Sequence, residues 1–160
     1  MSWFSRLCAL GCLLVITACG FEPVNRPEGT AQQLRNAVLV TEPAERDGFL
    51  LVRRLEERLG RSNAPRYRLS YNLNIETVGL GIDSVGNTNR FNLRGTASYV
   101  LSDIATRDPV ASGTVNSFTG YAATDSTVAT LASERDARER LMLILADQIT
   151  ARLLATGVPE

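Results

Sequence analysis

Three cysteines carry the most reactive side chains of this 160-residue sequence: Cys8, Cys12 and Cys19. Histidine is absent, and so is lysine; all 17 basic residues are arginine. Without an imidazole there is no Ser-His-Asp or Cys-His pair and no His-ligated metal. Without an amine side chain there is no Schiff base and no Ser-Lys dyad. The 17 acids leave one catalytic route open, two carboxylates converging on a glycan. That chemistry also needs aromatic platforms for sugar rings. Aromatics are only 6% of the chain, and the predicted strands offer mainly Glu76. A glycan-cleaving hydrolase is therefore disfavoured, and no cofactor is expected. The acids balance the arginines, so nothing points to nucleic-acid binding. The Gly79-Leu80-Gly81 stretch is too short for a phosphate loop and lacks the strand-to-helix context.

The setting of Cys19 decides what the thiols do. Met1 to Arg6 is short and basic, and Leu7 to Ala18 is an apolar run of about a dozen residues, the length of a signal-peptide core. A membrane-spanning helix needs about 20, and Glu22, Pro23 and Arg26 close the run too early. The run ends Ile16-Thr17-Ala18-Cys19, which resembles a bacterial lipobox. Residues 1–18 are then a removed lipoprotein signal peptide. Cys19 becomes the first residue, carrying a thioether-linked diacylglycerol and an acyl chain on its amine. More than one chain, at about 0.8 kcal/mol per buried methylene, gives stable anchoring. Gly20 in place of the aspartate that marks inner-membrane retention points to the outer membrane. Cys8 and Cys12 leave with the signal, so no unpaired thiol remains in an oxidising periplasm. The alternative, Cys19 as a buried thiol in an uncleaved helix, leaves that pattern unexplained.

These residues need elements to hold them. Residues 19–34, with Pro23, Pro27 and Gly29, read as lipidated N-terminus and tether. Asn36 to Thr41 is a short β-branched strand. Asp47 is placed to cap a helix over roughly Phe49 to Leu59, with Leu51, Val52, Leu55 and Leu59 as its apolar stripe, an Arg53–Glu57 pair, and Gly60 as its stop. Tyr67, Leu69, Tyr71, Leu73 and Ile75 alternate with Arg68, Ser70, Asn72, Asn74 and Glu76, a strand with one buried face. Gly79 to Asn89 reads as a long turn. The next strand places Phe91, Leu93, Ala97, Tyr99 and Leu101 on one face and Asn92, Arg94, Thr96 and Ser98 on the other. Val110 to Tyr121 is a third strand, with Gly113, Asn116 and Phe118 breaking the alternation. A long helix follows, capped at Ser133 or nearer Ser126, with Ala137, Leu141, Ile144, Leu145, Ile149 and Leu153 on one stripe to about Leu154.

The order β-α-β-β-β-α predicts an α+β two-layer sandwich. Two helices pack on one face of a four-stranded, mostly antiparallel sheet spanning residues 35–156, before a tail of residues 157–160. The other sheet face stays bare and polar, available to a partner. Glu134-Arg135-Asp136 and Arg138-Glu139-Arg140 read as solvated helix surface with i,i+4 pairs, and Asp147 and Gln148 as facing outward or toward a partner rather than doing chemistry.

Ala18-Cys-Gly-Phe-Glu-Pro23, this element order, and a last helix containing Glu134 to Ala137, Leu145 to Ile149 and Arg152-Leu153 together resemble the LPS-assembly lipoprotein family LptE, in its alphaproteobacterial form. The resemblance covers essentially the whole mature chain in architecture. It implies a non-enzymatic plug in the lumen of the LptD outer-membrane β-barrel, assisting that barrel's assembly and contacting lipopolysaccharide. A scaffolding lipoprotein of another envelope-assembly pathway is the alternative. By itself the polar sheet face reads as solvated surface. Under the resemblance, Arg68, Asn72, Asn74, Arg90, Asn92, Arg94 and Thr96 become candidate contacts to the barrel wall or to lipid A phosphates, since arginine forks suit both carboxylate and phosphate. Leu80, Ile82 and Val85 in the predicted turn are candidates for a tip that enters the partner.

Overall fold

A computed structural model of the chain describes residues 30–82 and 88–157. The signal peptide, Cys19, most of the expected tether, Val85 and the last three residues lie outside this description. The elements in order are α1 (Thr30–Leu34), β1 (Val38–Val40), α2 (Arg46–Leu59), β2 (Tyr67–Ile82), β3 (Thr88–Asp103), β4 (Pro109–Ala122) and α3 (Thr127–Thr156). The expected α+β architecture is present, with one added short helix, α1, whose Leu34 is fully buried. No helix among the described residues is long and apolar enough to cross a membrane.

The sheet order is β1-β2-β3-β4. β1 pairs with β2 in parallel, Val38 opposite Tyr67 and Val40 opposite Leu69. The other two pairings are antiparallel hairpins. Alternation sends Tyr67, Leu69, Leu93, Ala97, Tyr99, Leu101 and Val115 into the core, where they meet Leu51, Leu55, Leu141, Leu145 and Ile149 of the helices. Among the inward positions of β3, Gly95 has a packing reason. A Cβ there would lie 2.9 Å from the Leu145 side chain and 3.0 Å from that of Leu141. The missing side chain lets α3 sit down on the middle of the sheet.

The helices differ from the sequence reading at their caps. α2 starts at Arg46, and Glu45, its N-cap, makes no side-chain capping bond. Asp47 is not the cap. It sits within the first turn, where its charge still suits the helix dipole, and its carboxylate accepts from Arg138 of α3 at 2.9 Å. The apolar stripe of α2 is as expected, and Gly60, at φ +82°, ends the helix by donating to the Glu56 carbonyl. In α3, Ser126 rather than Ser133 is the cap, accepting from the Ala129 N–H at 3.4 Å. The 30-residue helix is about 45 Å long. Ile144 is 38% exposed and does not belong to its buried stripe, which instead includes Met142 and Ala146. The stripe widens toward α2, because α3 packs on that helix and on the sheet at once.

Both described ends of the turn predicted over Gly79 to Asn89 are strand. β2 continues through Ile82 and β3 starts at Thr88. Register shifts between Gly79 and Gly81 and between Gly81 and Ile82 absorb the glycines. Ladder bonds to a neighbouring strand outweigh the low strand propensity of glycine here, and a bulge is where glycine is best tolerated.

Candidate partner-binding face

Helices cover one side of the sheet; on the other, no described element packs. The register sets out its side chains in rows. Arg68 stands opposite Ser102, Ser70 opposite Val100, Asn72 opposite Ser98, Asn74 opposite Thr96, and Glu76 opposite Arg94. On β4 the rows continue with Ser112, Thr114, Asn116, Phe118 and Gly120. The middle of the face carries hydroxyls and amides without charge.

Arg68, Asn72, Asn74, Arg90 and Arg94 are exposed on this side; Asn92 and Thr96 are half-buried among their neighbours. Arg90 and Arg94 lie four residues apart on β3, about 13 Å, and form a basic end. Arg68 shares their face, as the register requires, but lies eight residues along β2 from the row of Arg94, about 26 Å away. The three arginines therefore do not make one anion pocket. Leu80 is 60% exposed, within strand β2 rather than in a loop. Ile82 is likewise in β2.

Several arginines of the helices are paired within the fold. Arg53 bridges to Glu139, Arg54 and Arg58 both bridge to Asp147, and Arg138 lies between Asp47 and Glu134. The bonds from Arg54 and Arg58 hold the Asp147 carboxyl below the usual carboxylate range despite its partial burial. The expected helix-surface i,i+4 pairs are present, Glu134–Arg138 and Asp136–Arg140. The outward-facing Asp147, however, is a correction: it ties α3 to α2. On the opposite flank of α3, Arg152 donates to the Thr114 carbonyl at 2.8 Å and Arg140 to the Gly120 carbonyl at 3.3 Å. These bonds take two carbonyls on the free edge of β4. By contrast, among the described residues no carboxylate lies within ion-pair distance of Arg68, Arg90 or Arg94. Glu76, opposite Arg94, instead accepts from the Asn74 amide at 3.4 Å.

One member of this face escaped the sequence reading. Phe118 is 66% exposed and lies opposite Arg94. Val115 and Thr119 point inward, and counting parity from them sends Phe118 outward. Behind it, Thr119 is fixed by a bond from its hydroxyl to the Ala137 carbonyl at 2.8 Å. Phe91 and Tyr121 stack on the helix side with ring centroids 5.2 Å apart.

Comparison with known proteins places this geometry. The fold is similar to that of a Caulobacter crescentus lipoprotein, 23% identical, with a TM-score of 0.67 over 79% of this chain and 94% of that one. It is similar also to a minor lipoprotein of Acinetobacter baumannii, at 20% identity and TM-score 0.59 over 79% and 99% of the two chains. Rare lipoprotein B of Shewanella oneidensis aligns at 12% identity and TM-score 0.58 over 75% and 93%. Curated protein sequences return no match. The lipopolysaccharide-assembly family profile, LptE, matches residues 28–153, so the chain belongs to the LptE family.

Proposed function

We propose that the protein is an outer-membrane lipoprotein of lipopolysaccharide transport that sits in the lumen of an LptD-like β-barrel, assists that barrel's assembly and contacts lipopolysaccharide on its way to the outer leaflet. Family membership supports the general role in lipopolysaccharide assembly, in a family that is not enzymatic. The observation that carries the finer reading is the bare sheet face, uncharged and hydrogen-bonding in the middle, with Arg90 and Arg94 at one end and no ion pair to either among the described residues. A barrel lumen is polar and lined by side chains that need partners. A flat surface of amides and hydroxyls meets that need without burying unpaired charge, while arginine forks match phosphate oxygens.

In this reading residues 1–18 are removed, Cys19 carries the lipid, residues 19–34 lead from it, and the domain over residues 35–156 does the docking. Depleting the protein tests it. Surface lipopolysaccharide and folded barrel should both fall; normal levels of both would sink the proposal. Pull-down of the lipidated protein should bring down a large outer-membrane barrel at near one-to-one ratio. A different envelope assembly in its place would mark a scaffold of another pathway.

A further inference from the structure

We propose that the uncovered edge of β2, from Tyr71 to Thr77, is a docking site for an extended segment of a protein partner, one that alternates basic and apolar residues and adds to the sheet as a strand where β1 stops. The site lies beside the open face, not on it, and stands whether or not that face meets a barrel.

The two edges of the sheet are treated differently. At β4, Arg140 and Arg152 bond outward-facing carbonyls. At the other edge, β1 covers β2 only from Tyr67 to Leu69. Pro43 follows closely, and a residue with no N–H and fixed φ turns the chain away toward α2. β2 runs on to Ile82 without this neighbour. The direction of its free groups follows from the bonds that exist. The Tyr67 N–H donates to the Ala37 carbonyl, and the Leu69 carbonyl accepts from the Thr41 N–H. Odd-numbered residues of β2 thus turn their backbone toward this edge, and the groups of Tyr71, Leu73, Ile75 and Thr77 have no backbone partner among the described residues. Natural edges are blunted by lysine, proline or bulges. None of these interrupts residues 71–77, and the bulge comes later, at Gly79–Ile82.

The edge opens onto a cavity of about 520 Å3 between β2 and the β1–α2 loop. Tyr71, Leu73 and Ile75 contribute half-buried apolar side chains to it, the surface a partner's apolar residues would cover. The facing wall holds Glu42 and Glu45, both exposed and without an ion pair among the described residues. Arg138 lines the floor, but its charge is met by Asp47 and Glu134. An added strand gains main-chain bonds from the edge and selectivity from alternate side chains; the acidic wall selects basic residues.

The test is amide hydrogen exchange on the lipidated protein in detergent, with an eight-residue peptide of alternating arginine and valine as probe. The peptide should slow exchange at Tyr71, Leu73, Ile75 and Thr77, and a glutamate-valine counterpart should bind at least tenfold more weakly. Thr77→Pro removes an N–H that β3 does not use and should block the effect. Glu42→Arg with Glu45→Arg, both surface changes, should reverse the preference between the peptides while leaving the circular dichroism spectrum unchanged. Protection of these amides before peptide is added overturns the proposal, since the chain's own N-terminal segment, or a second copy revealed by a doubled mass, then fills the edge. Equal binding of both peptides, or protection confined to β4, overturns it too.

Discussion

Arg54 of α2 holds Asp147 of α3 with two sides of its guanidinium, Nε to Oδ1 at 3.0 Å and Nη2 to Oδ2 at 3.1 Å. Arg58 adds a third bond to the same carboxylate at 2.9 Å. A two-pronged pair separated by 93 residues in sequence fixes how far one helix slides along the other.

This pair has a pH signature. The folded-state pKa of Asp147 is depressed, so its contribution is fully present above the unfolded carboxylate value near 4 and is lost as pH falls through the lower folded value. Asp103 behaves alike, held down by the N–H groups of Thr106 and Ala105. Asp147→Asn should lower the urea midpoint at pH 7, and the difference from the parent should shrink toward pH 3. A constant difference across that range would rule out the ion pair as its source.

Gly95 should tolerate alanine poorly and valine worse. The new Cβ meets Leu141 and Leu145, and overpacking of this kind costs about 1–3 kcal/mol. The alanine variant should fall at the low end, because the atoms it meets are the ends of leucine side chains. Urea denaturation of both variants reads the effect.

Thr119→Val keeps the shape and removes the bond to the Ala137 carbonyl. That carbonyl lies within α3 and keeps its helical partner, so the expected loss is about 1 kcal/mol rather than a full desolvation penalty. A loss much larger than this would mean that the hydroxyl supports more than one contact.

Charge reversal at the basic end of the open face should separate binding from stability. Arg90→Glu with Arg94→Glu touches exposed side chains, so the melting curve should move little, within about 0.5 kcal/mol per site. Barrel co-purification or lipopolysaccharide binding should drop. If both persist unchanged, the arginines are solvent-facing only. Arg68→Glu alone should have a smaller effect on the same readouts, because it stands at the far end of the sheet.

Much of this was legible in sequence because side-chain period reports burial directly. The alternation from Tyr67 to Glu76 predicted a half-buried strand and put Arg68, Asn72 and Asn74 on the polar side, where they are found. The stripe Leu51, Val52, Leu55 and Leu59 predicted α2 and its buried face. Composition removed histidine and lysine chemistry before any geometry was considered.

The rest depended on what lies across from each residue. Gly79 to Ile82 looks like turn by propensity, but β3 supplies ladder bonds that keep it in the sheet. Asp47 and Asp147 look like a cap and a solvated acid; only the placement of α2 beside α3 brings Arg138 to one and Arg54 to the other. Arg68 and Arg94 share a face by parity alone, yet their separation along the sheet is set by strand register. The sequence by itself determined the element types, the buried faces and the absence of imidazole and amine chemistry, because those follow from local period and composition. Tertiary structure alone decided which arginines pair within the fold, which have no carboxylate partner among the described residues, and how far β1 covers the edge of β2, because these depend on neighbours far away in the chain.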